Sequence, residues 1–445
     1  MRTRVPQPIT LGIALALVLA ACTSASPSPS PGGSTEPGTS AGPSSDGGDL
    51  AGQTVTVIGT WTDTEEANFR AMVKPWEDQT GATVTYQGTR AINDILAAGI
   101  PTGVLPDLVG LPGPAQMQEY AAAGALKPLD DVLDIATYTS ETAAGLVDLG
   151  KVDGQTYGVF IKGAVKGLIW YNPALHDYSS APPTTWDDLM SAAAANQGNA
   201  KALWCLGIES GAASGWPATD WIENILVRQA GPEVYNDWWA GKVKWTDPAI
   251  KAAFTTFMDD VVANTFGGGT NAVATPFANG GDPLFASPPG CAVFQQASFI
   301  TGLGAFADKT AETDYKALPF PSFNDQYATA VEGAGDLFGM FHDTPAAKSL
   351  MAYLVTAEAQ DIWVKAGGAL SANKNATSYP DAISTTMGGM LANAGTLVFD
   401  ASDQMPTDMN AAFWSHMVSL TSGKETIDQA LAALQKVADD AYAAS

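Results

Sequence analysis

Tryptophan beside acid is the pattern in this chain best suited to recognition chemistry. Of twelve tryptophans, Trp61 precedes Glu65, Trp216 and Trp221 bracket Asp220, and Trp414 follows Asp403, all in loop-like contexts. A pyranose offers an apolar C–H face that packs on an indole and a rim of hydroxyls that carboxylates bind in fixed directions, so these pairs fit a sugar. Trp76, Trp170, Trp186 and Trp363 sit on apolar helical or strand faces and are expected in the core. The acids also have plainer readings, Glu65 as a favourable first-turn charge and Asp220 as a helix cap.

Signals for bond chemistry are scarce. The chain has no GxSxG elbow, P-loop or HExxH. Gly302-Leu303-Gly304-Ala305-Phe306-Ala307 lacks the preceding strand and later acid of a dinucleotide site. No carboxylate pair is singled out for glycoside hydrolysis. The cysteines lack CxxC spacing and His176, His342 and His416 are isolated, so no metal and no cofactor is expected.

The formal net charge is −25. That surplus disfavours nucleic acid and anionic lipid as partners, since both select clustered Lys and Arg. At the start, Arg2 and Arg4 precede an apolar run from Ile9 to Leu19 and the sequence Leu19-Ala20-Ala21-Cys22. This reads as a signal peptide over 1–21, too short to span a bilayer. The small residues before Cys22 resemble the bacterial lipobox, which implies acylation of that thiol and a chain held to the outer face of the cytoplasmic membrane by lipid. Residues 22–49, rich in Ser, Pro and Gly, form the tether. Acylation of Cys22 leaves two cysteines for an oxidising compartment, so a Cys205–Cys291 disulfide is expected, with two free buried thiols as the alternative.

The elements that must position these residues alternate. Thr54 to Gly59 reads as a strand, Phe69, Met72, Val73 and Trp76 mark one face of a helix, and Thr83 to Gln87 reads as a second strand. Pro75 is expected to kink or end that helix. Asp107-Leu108-Val109 and Ala115 to Ala123 repeat the pattern. Thr185 is expected to cap a helix, Thr344-Pro345 to open one running to Gly367, and Thr426-Ile427-Asp428-Gln429 to form a capping box. The fold class is therefore α/β, with enough chain beyond residue 50 for two lobes.

Asp153-Gly154-Gln155-Thr156-Tyr157-Gly158, Trp170-Tyr171-Asn172 and Pro183-Thr184-Thr185-Trp186-Asp187-Asp188-Leu189 resemble the extracellular solute-binding proteins of carbohydrate ABC importers. Trp204-Cys205-Leu206-Gly207, Gly215-Trp216-Pro217-Ala218-Thr219-Asp220-Trp221, Gly290-Cys291 and the run from Phe399 to Pro406 resemble its α-glucoside-binding branch. The likeness extends over residues 54–440, and Glu332-Gly333-Ala334-Gly335-Asp336 stands where the family usually has a glycine run before an Asp.

The resemblance implies a two-lobed, periplasmic-binding-protein-like fold with a hinge and an interlobe ligand cleft. Residues 50–163 and 331–372 would form lobe I, and 164–330 and 373–445 lobe II. It implies a monomeric receptor, not an enzyme, that passes a neutral α-glucoside or malto-oligosaccharide to the transmembrane subunits of an ABC permease. Glu65, Asp220, Asp336 and Asp403 would accept hydrogen bonds from hydroxyls, Gln296 would donate and accept, and Trp61, Trp216, Trp221 and Trp414 would stack. Lys162 and Lys166, near the implied hinge, are expected to be solvated. A tethered glycoside hydrolase and a surface carbohydrate-binding adhesin are the alternatives. If Cys22 carries the anchor, Cys22→Ser releases the protein from membranes into the medium; unchanged membrane retention on fractionation places the tether elsewhere.

Overall fold

The computed structural model describes residues 50–323 and 325–443. The leader, the Ser/Pro/Gly segment and Cys22 lie outside the described residues. Among the described residues ten strands form two main sheets, beside a small hairpin of Lys151–Val152 with Gln155–Thr156. In chain order they are β1 (Thr54–Gly59), β2 (Thr83–Gly88), β3 (Leu108–Leu111), β4 (Gly158–Val165), β5 (Leu168–Tyr171), β6 (Ala202–Cys205), β7 (Cys291–Gln296), β8 (Lys316–Leu318), β9 (Ala330–Met340) and β10 (Thr396–Phe399). The helices used below are α1 (Asp63–Thr80), α2 (Trp186–Ala195), α3 (Trp216–Gln229), α4 (Pro345–Leu354), α5 (Ala357–Ala366), α6 (Thr407–Thr421) and α7 (Ile427–Ala441).

In the first sheet β1 lies between β2 and β3, parallel to both. The long strand β9 joins them antiparallel to β3 through Leu337–Met340 and antiparallel to β4 through Gly333–Gly339. Its opening residues, Ala330–Gly333, pair in parallel with β10. Because β4 overlaps both pairings, β10 and β3 must share the opposite edge of β9, and their C-terminal ends meet there. Between them Ala334, Gly335 and Asp336 have no strand on that edge, and the ladder shifts register after Asp336. In the second sheet β5 pairs antiparallel with β8 and β7, and β7 runs parallel to β6. The chain passes from one sheet to the other through Lys166-Gly167, between β4 and β5.

Each sheet has its own apolar core. The first gathers Val57, Phe69, Met72, Trp76, Phe338 and Trp363, the second Trp186, Trp204, Trp221, Trp238, Trp245 and Phe413. The predicted stripe of α1 is buried as Phe69, Met72, Val73 and Trp76, and Glu65 continues it one turn earlier. This helix runs through Pro75 to Thr80 rather than ending there. One lost backbone bond, worth about 1 kcal/mol net, is small beside the four large side chains buried around it, each worth roughly 1.5–3 kcal/mol. The helix expected from Thr344 to Gly367 is two helices. Thr344 caps α4 as predicted, but the Thr356 hydroxyl accepts from Ala359 N and opens α5 anew. Thr185 caps α2, and both arms of the Thr426/Gln429 capping box form on α7.

Cys205 and Cys291 are joined by a disulfide across 86 positions of chain. Closing a loop of that size stabilises by about 4–5 kcal/mol in the chain-entropy treatment. Thiol counting on the denatured, unreduced protein is expected to find neither of these cysteines reactive, and Cys205→Ser with Cys291→Ser to lower the melting temperature. Two reactive thiols from these positions would contradict the bond.

Candidate functional site

A cleft opens where the ends of β3 and β10 meet over β9, lined by both rings and charged side chains, a mixture usual in small-molecule sites. Strand ends that diverge in this way leave a crevice that neither strand fills, the usual ligand position in open α/β sheets. The loop after β3 contributes Pro112, the loop after β10 contributes Asp400, Ser402 and Asp403, and the unpaired segment of β9 contributes Ala334, Gly335 and Asp336. Two glycines allow the walls to close. A Cβ on Gly113 would lie 2.4 Å from that of Asp403, and one on Gly215, at φ 111°, would lie 2.2 Å from the Trp414 carbonyl oxygen. The second contact sets Trp216 beside Trp414.

Strand periodicity aims Lys162, Ala164 and Lys166 at the cleft, because side chains two apart share a face. Lys162 and Lys166 are not solvated as the sequence suggested: they are 3 % and 6 % exposed. Lys162 Nζ lies 2.5 Å from Glu65 and 3.7 Å from Asp336, its cross-strand neighbour, while Arg90 reaches Glu65 at 3.3 Å. Lys162 also sits 4.9–5.5 Å from the rings of Trp363, Phe299 and Trp61. Lys166 Nζ is 2.8 and 2.9 Å from the two Asp220 oxygens, 2.9 Å from Asp400 and 4.9 Å from the Trp216 ring. Four methylenes of apolar stem on each lysine, with three rings around Lys162 and one beside Lys166, make burial of these ammoniums possible, and the carboxylates complete it.

The electrostatics follow from these contacts. Burial alone would raise the Glu65 carboxyl, but Lys162 and Arg90 outweigh it and hold the group below its ordinary range. Burial would lower Lys166, and Asp220 and Asp400 instead raise it well above. Beneath the floor, Glu223 accepts from Ala401 N and Ser402 N, and both oxygens of Glu332 are buried without a hydrogen-bond partner. Burial and neighbouring acids raise both groups well above the carboxylate range. Asp220, Glu223, Glu332 and Asp400 bring oxygens within 4.8 Å of one another, a density able to hold a cation. The ammonium of Lys166 already fills that role between Asp220 and Asp400.

Six of the nine expected ligand-binding residues line the cleft: Trp61, Glu65, Trp216, Asp336, Asp403 and Trp414. Trp61 is only 2 % exposed, packed among Phe69, Tyr86, Phe338 and Trp363, so it offers a ligand little of its face. Trp216 is more open, and Trp414 Nε1 has no protein acceptor. The structure does not bring Asp220, Trp221 and Gln296 to the cleft. Five residues along a helix is a turn of about 140°, so Trp221 points away from Trp216 and into the core against Trp204 and Phe320. Asp220, one turn below Trp216, spends its oxygens on Lys166. Gln296 Oε1 accepts from its neighbour Ala297 N. Sequence reasoning missed Arg90, Asp400, Phe277 and Phe299, and only the even spacing of Lys162 in β4 and Lys166 just beyond it, four residues apart, signalled their shared direction.

The pattern described as bacterial extracellular solute-binding protein matches residues 71–387. The chain is 34 % identical over 388 residues to the osmoprotective compounds-binding protein GgtB of Synechocystis sp., covering 85 % of this chain and 91 % of that protein. It is 32 % identical over 407 residues to the alpha-glucosides-binding periplasmic protein AglE of Rhizobium meliloti, covering 88 % of each. Among solved structures, a chitin oligosaccharide binding protein shares the fold with a TM-score of 0.75 at 24 % identity, over 89 % of this chain and 100 % of that one. The GacH receptor of Streptomyces glaucescens shares it at 0.67 and 17 % identity, over 87 % and 99 %.

The buried acids give stability a definite pH dependence. Burial, opposed by Lys166, pushes Asp220 up to about 7 from 3.8. The folded chain then keeps a proton that the unfolded chain has released, so this contribution is complete below 3.8 and is lost as pH rises toward 7. Glu65 has the opposite sign, and its contribution fades as pH falls below its ordinary 4.5. The melting temperature without ligand is expected to peak on the acid side and decline toward neutrality, with Asp220→Asn flattening the decline; a melting temperature that rises steadily from pH 4 to 7 would contradict this.

Proposed function

Because the chain belongs to the bacterial extracellular solute-binding proteins and serves a carbohydrate ABC importer as its binding component rather than as an enzyme, we propose that it captures an α-glucoside or short malto-oligosaccharide. The observation that carries this is the cleft floor, where the partly open carboxylates of Asp336 and Asp403 stand beside the rings of Trp216 and Trp414. Carboxyl oxygens accept hydroxyl hydrogens in fixed directions whether or not the group also holds a proton, and indoles take the apolar sugar face. The α-glucoside choice draws support from the likeness to AglE. The receptor acts as a monomer, held by a lipid on Cys22 at the outer face of the cytoplasmic membrane, and hands its sugar to the permease subunits.

In this reading residues 50–163 and 331–372 move as lobe I and residues 164–330 and 373–445 as lobe II. A sugar touching Glu65 and Asp336 on one side and Trp216 and Trp414 on the other binds the closed arrangement better than an open one, which is what drives closure. Asp220 contributes at one remove, by holding Lys166 at the wall.

A thermal-shift panel of mono- and disaccharides tests the proposal. A ligand present at 100 times its Kd stabilises by about 2.7 kcal/mol, and an α-linked glucoside is expected to give the largest shift. Trp216→Ala and Trp414→Ala are each expected to weaken that sugar by about tenfold, or about 1.4 kcal/mol, with the ligand-free melting temperature as control. No response to any sugar in the panel, or losses of affinity that merely track lost stability, would sink it.

A further inference from the structure

Resting on the sugar reading above, we propose that the cleft sorts hydroxylated ligands by charge. Sugars that carry a protonated amine are preferred to neutral isosteres, and Asp403 is the group that meets the ammonium. The cleft surface carries Glu65, Asp336, Asp400 and Asp403, and directly behind it lie Asp220, Glu223 and Glu332. Glu223 and Glu332 keep their protons, which leaves five acids to be balanced by four cations, Arg90, Lys162, Lys166 and Arg228.

The cations are already engaged. Arg90 and Lys162 hold Glu65, Lys162 also faces Asp336, Lys166 holds Asp220 and Asp400, and Arg228 donates to Asn224 and to the Ala330 carbonyl. Among the described residues no base lies within ion-pair distance of the Asp403 carboxylate, which lines the cleft and is partly open to it. The floor is therefore one positive charge short, and Asp403 is where a ligand can supply it.

The walls show how an ammonium is held here. Both lysines are wrapped by the same two kinds of group, carboxylate oxygen and aromatic ring, at 2.5–2.9 Å and 4.9–5.5 Å. The ligand side of the cleft offers the same two kinds of group, since Asp403, Trp414 and Trp216 all line it. A ring amine or amino substituent brought there takes the place a third lysine would occupy, with charge-assisted hydrogen bonding and cation–π attraction together.

Without ligand, burial and Asp400 push Asp403 well above the carboxylate range, Asp220 and Asp336 add to this, and Lys166 opposes it. A proton thus stands in for the missing cation. An incoming ammonium displaces that proton to solvent, a step in which charge balances and no other reagent takes part. Neutral sugars leave the proton in place.

The test is isothermal titration calorimetry on the full mature chain with matched ligands whose amine is already protonated at neutral pH: methyl 6-amino-6-deoxy-α-D-glucopyranoside against methyl α-D-glucopyranoside, and 6′-amino-6′-deoxymaltose against maltose. At neutral pH at least one amine is expected to bind about tenfold more tightly than its neutral partner. Repeating the titration in two buffers of different ionisation enthalpy should show proton release for that amine and none for the neutral sugar. In Asp403→Asn the ratio within the pair should fall to near one and the proton release should vanish, while the ligand-free melting temperature shows the variant folded. If the neutral member of each pair binds as well as the amine, or if the preference survives Asp403→Asn, the inference is overturned while the sugar reading stands. If no member of either pair binds the folded protein, both are overturned together.

Discussion

Two buried ammoniums organise this molecule. Lys162 lies in β4 and Lys166 just beyond it, at the passage from the first sheet to the second, and neither is left in water. Taking a charge out of water costs several kcal/mol, so each lysine requires carboxylates arranged around it. Those carboxylates come from distant segments. Glu65 is supplied by the first turn of α1, Asp336 by β9, Asp220 by α3 and Asp400 by the end of β10. Satisfying the two ions thus fixes four elements around one cleft, and the surface left over is acidic and aromatic. The binding chemistry follows from that constraint rather than being added to it.

The arrangement also explains why the cleft lies where it does. Small residues at Gly333, Ala334 and Gly335 let β9 run with one edge bare, and the two strands that approach that edge turn away from each other. A side chain on Gly113 or Gly215 would collide with the opposing wall. Close backbone approach brings the rings and carboxylates within reach of one small ligand.

Much of the architecture was legible because its signals are local. A 3.6-residue stripe exposes the buried face of α1, and a Thr three residues before a Gln marks the start of α7. Cysteine parity pointed to the bond between β6 and β7. Of the residues singled out by the adjacency of tryptophan and acid, Trp61, Trp216, Asp403 and Trp414 line the cleft, whereas Trp221 lies in the core, because neighbours along a helix do not share a face. Lys162 and Lys166 could not be read as buried, since the acids that hold them lie 54 to 234 positions away in the chain. Long-range charge pairing leaves no periodic trace, whereas a stripe or a cap does.

The long strand β9 has a consequence for the order in which the protein becomes whole. Ala330 belongs to the second core and Phe338 to the first, so one strand completes both. The N-terminal strands β1 to β3, although adjacent in sequence, lack the β9 neighbour of β3 until some 220 further residues have been made. Contacts of such separation form slowly, because the entropy of closing the loop is lost before the pairing returns anything. The growing chain therefore stays without a finished core for most of its synthesis. For a protein that must reach the outside of the cell, late completion keeps the polypeptide in a threadable state while it crosses the membrane.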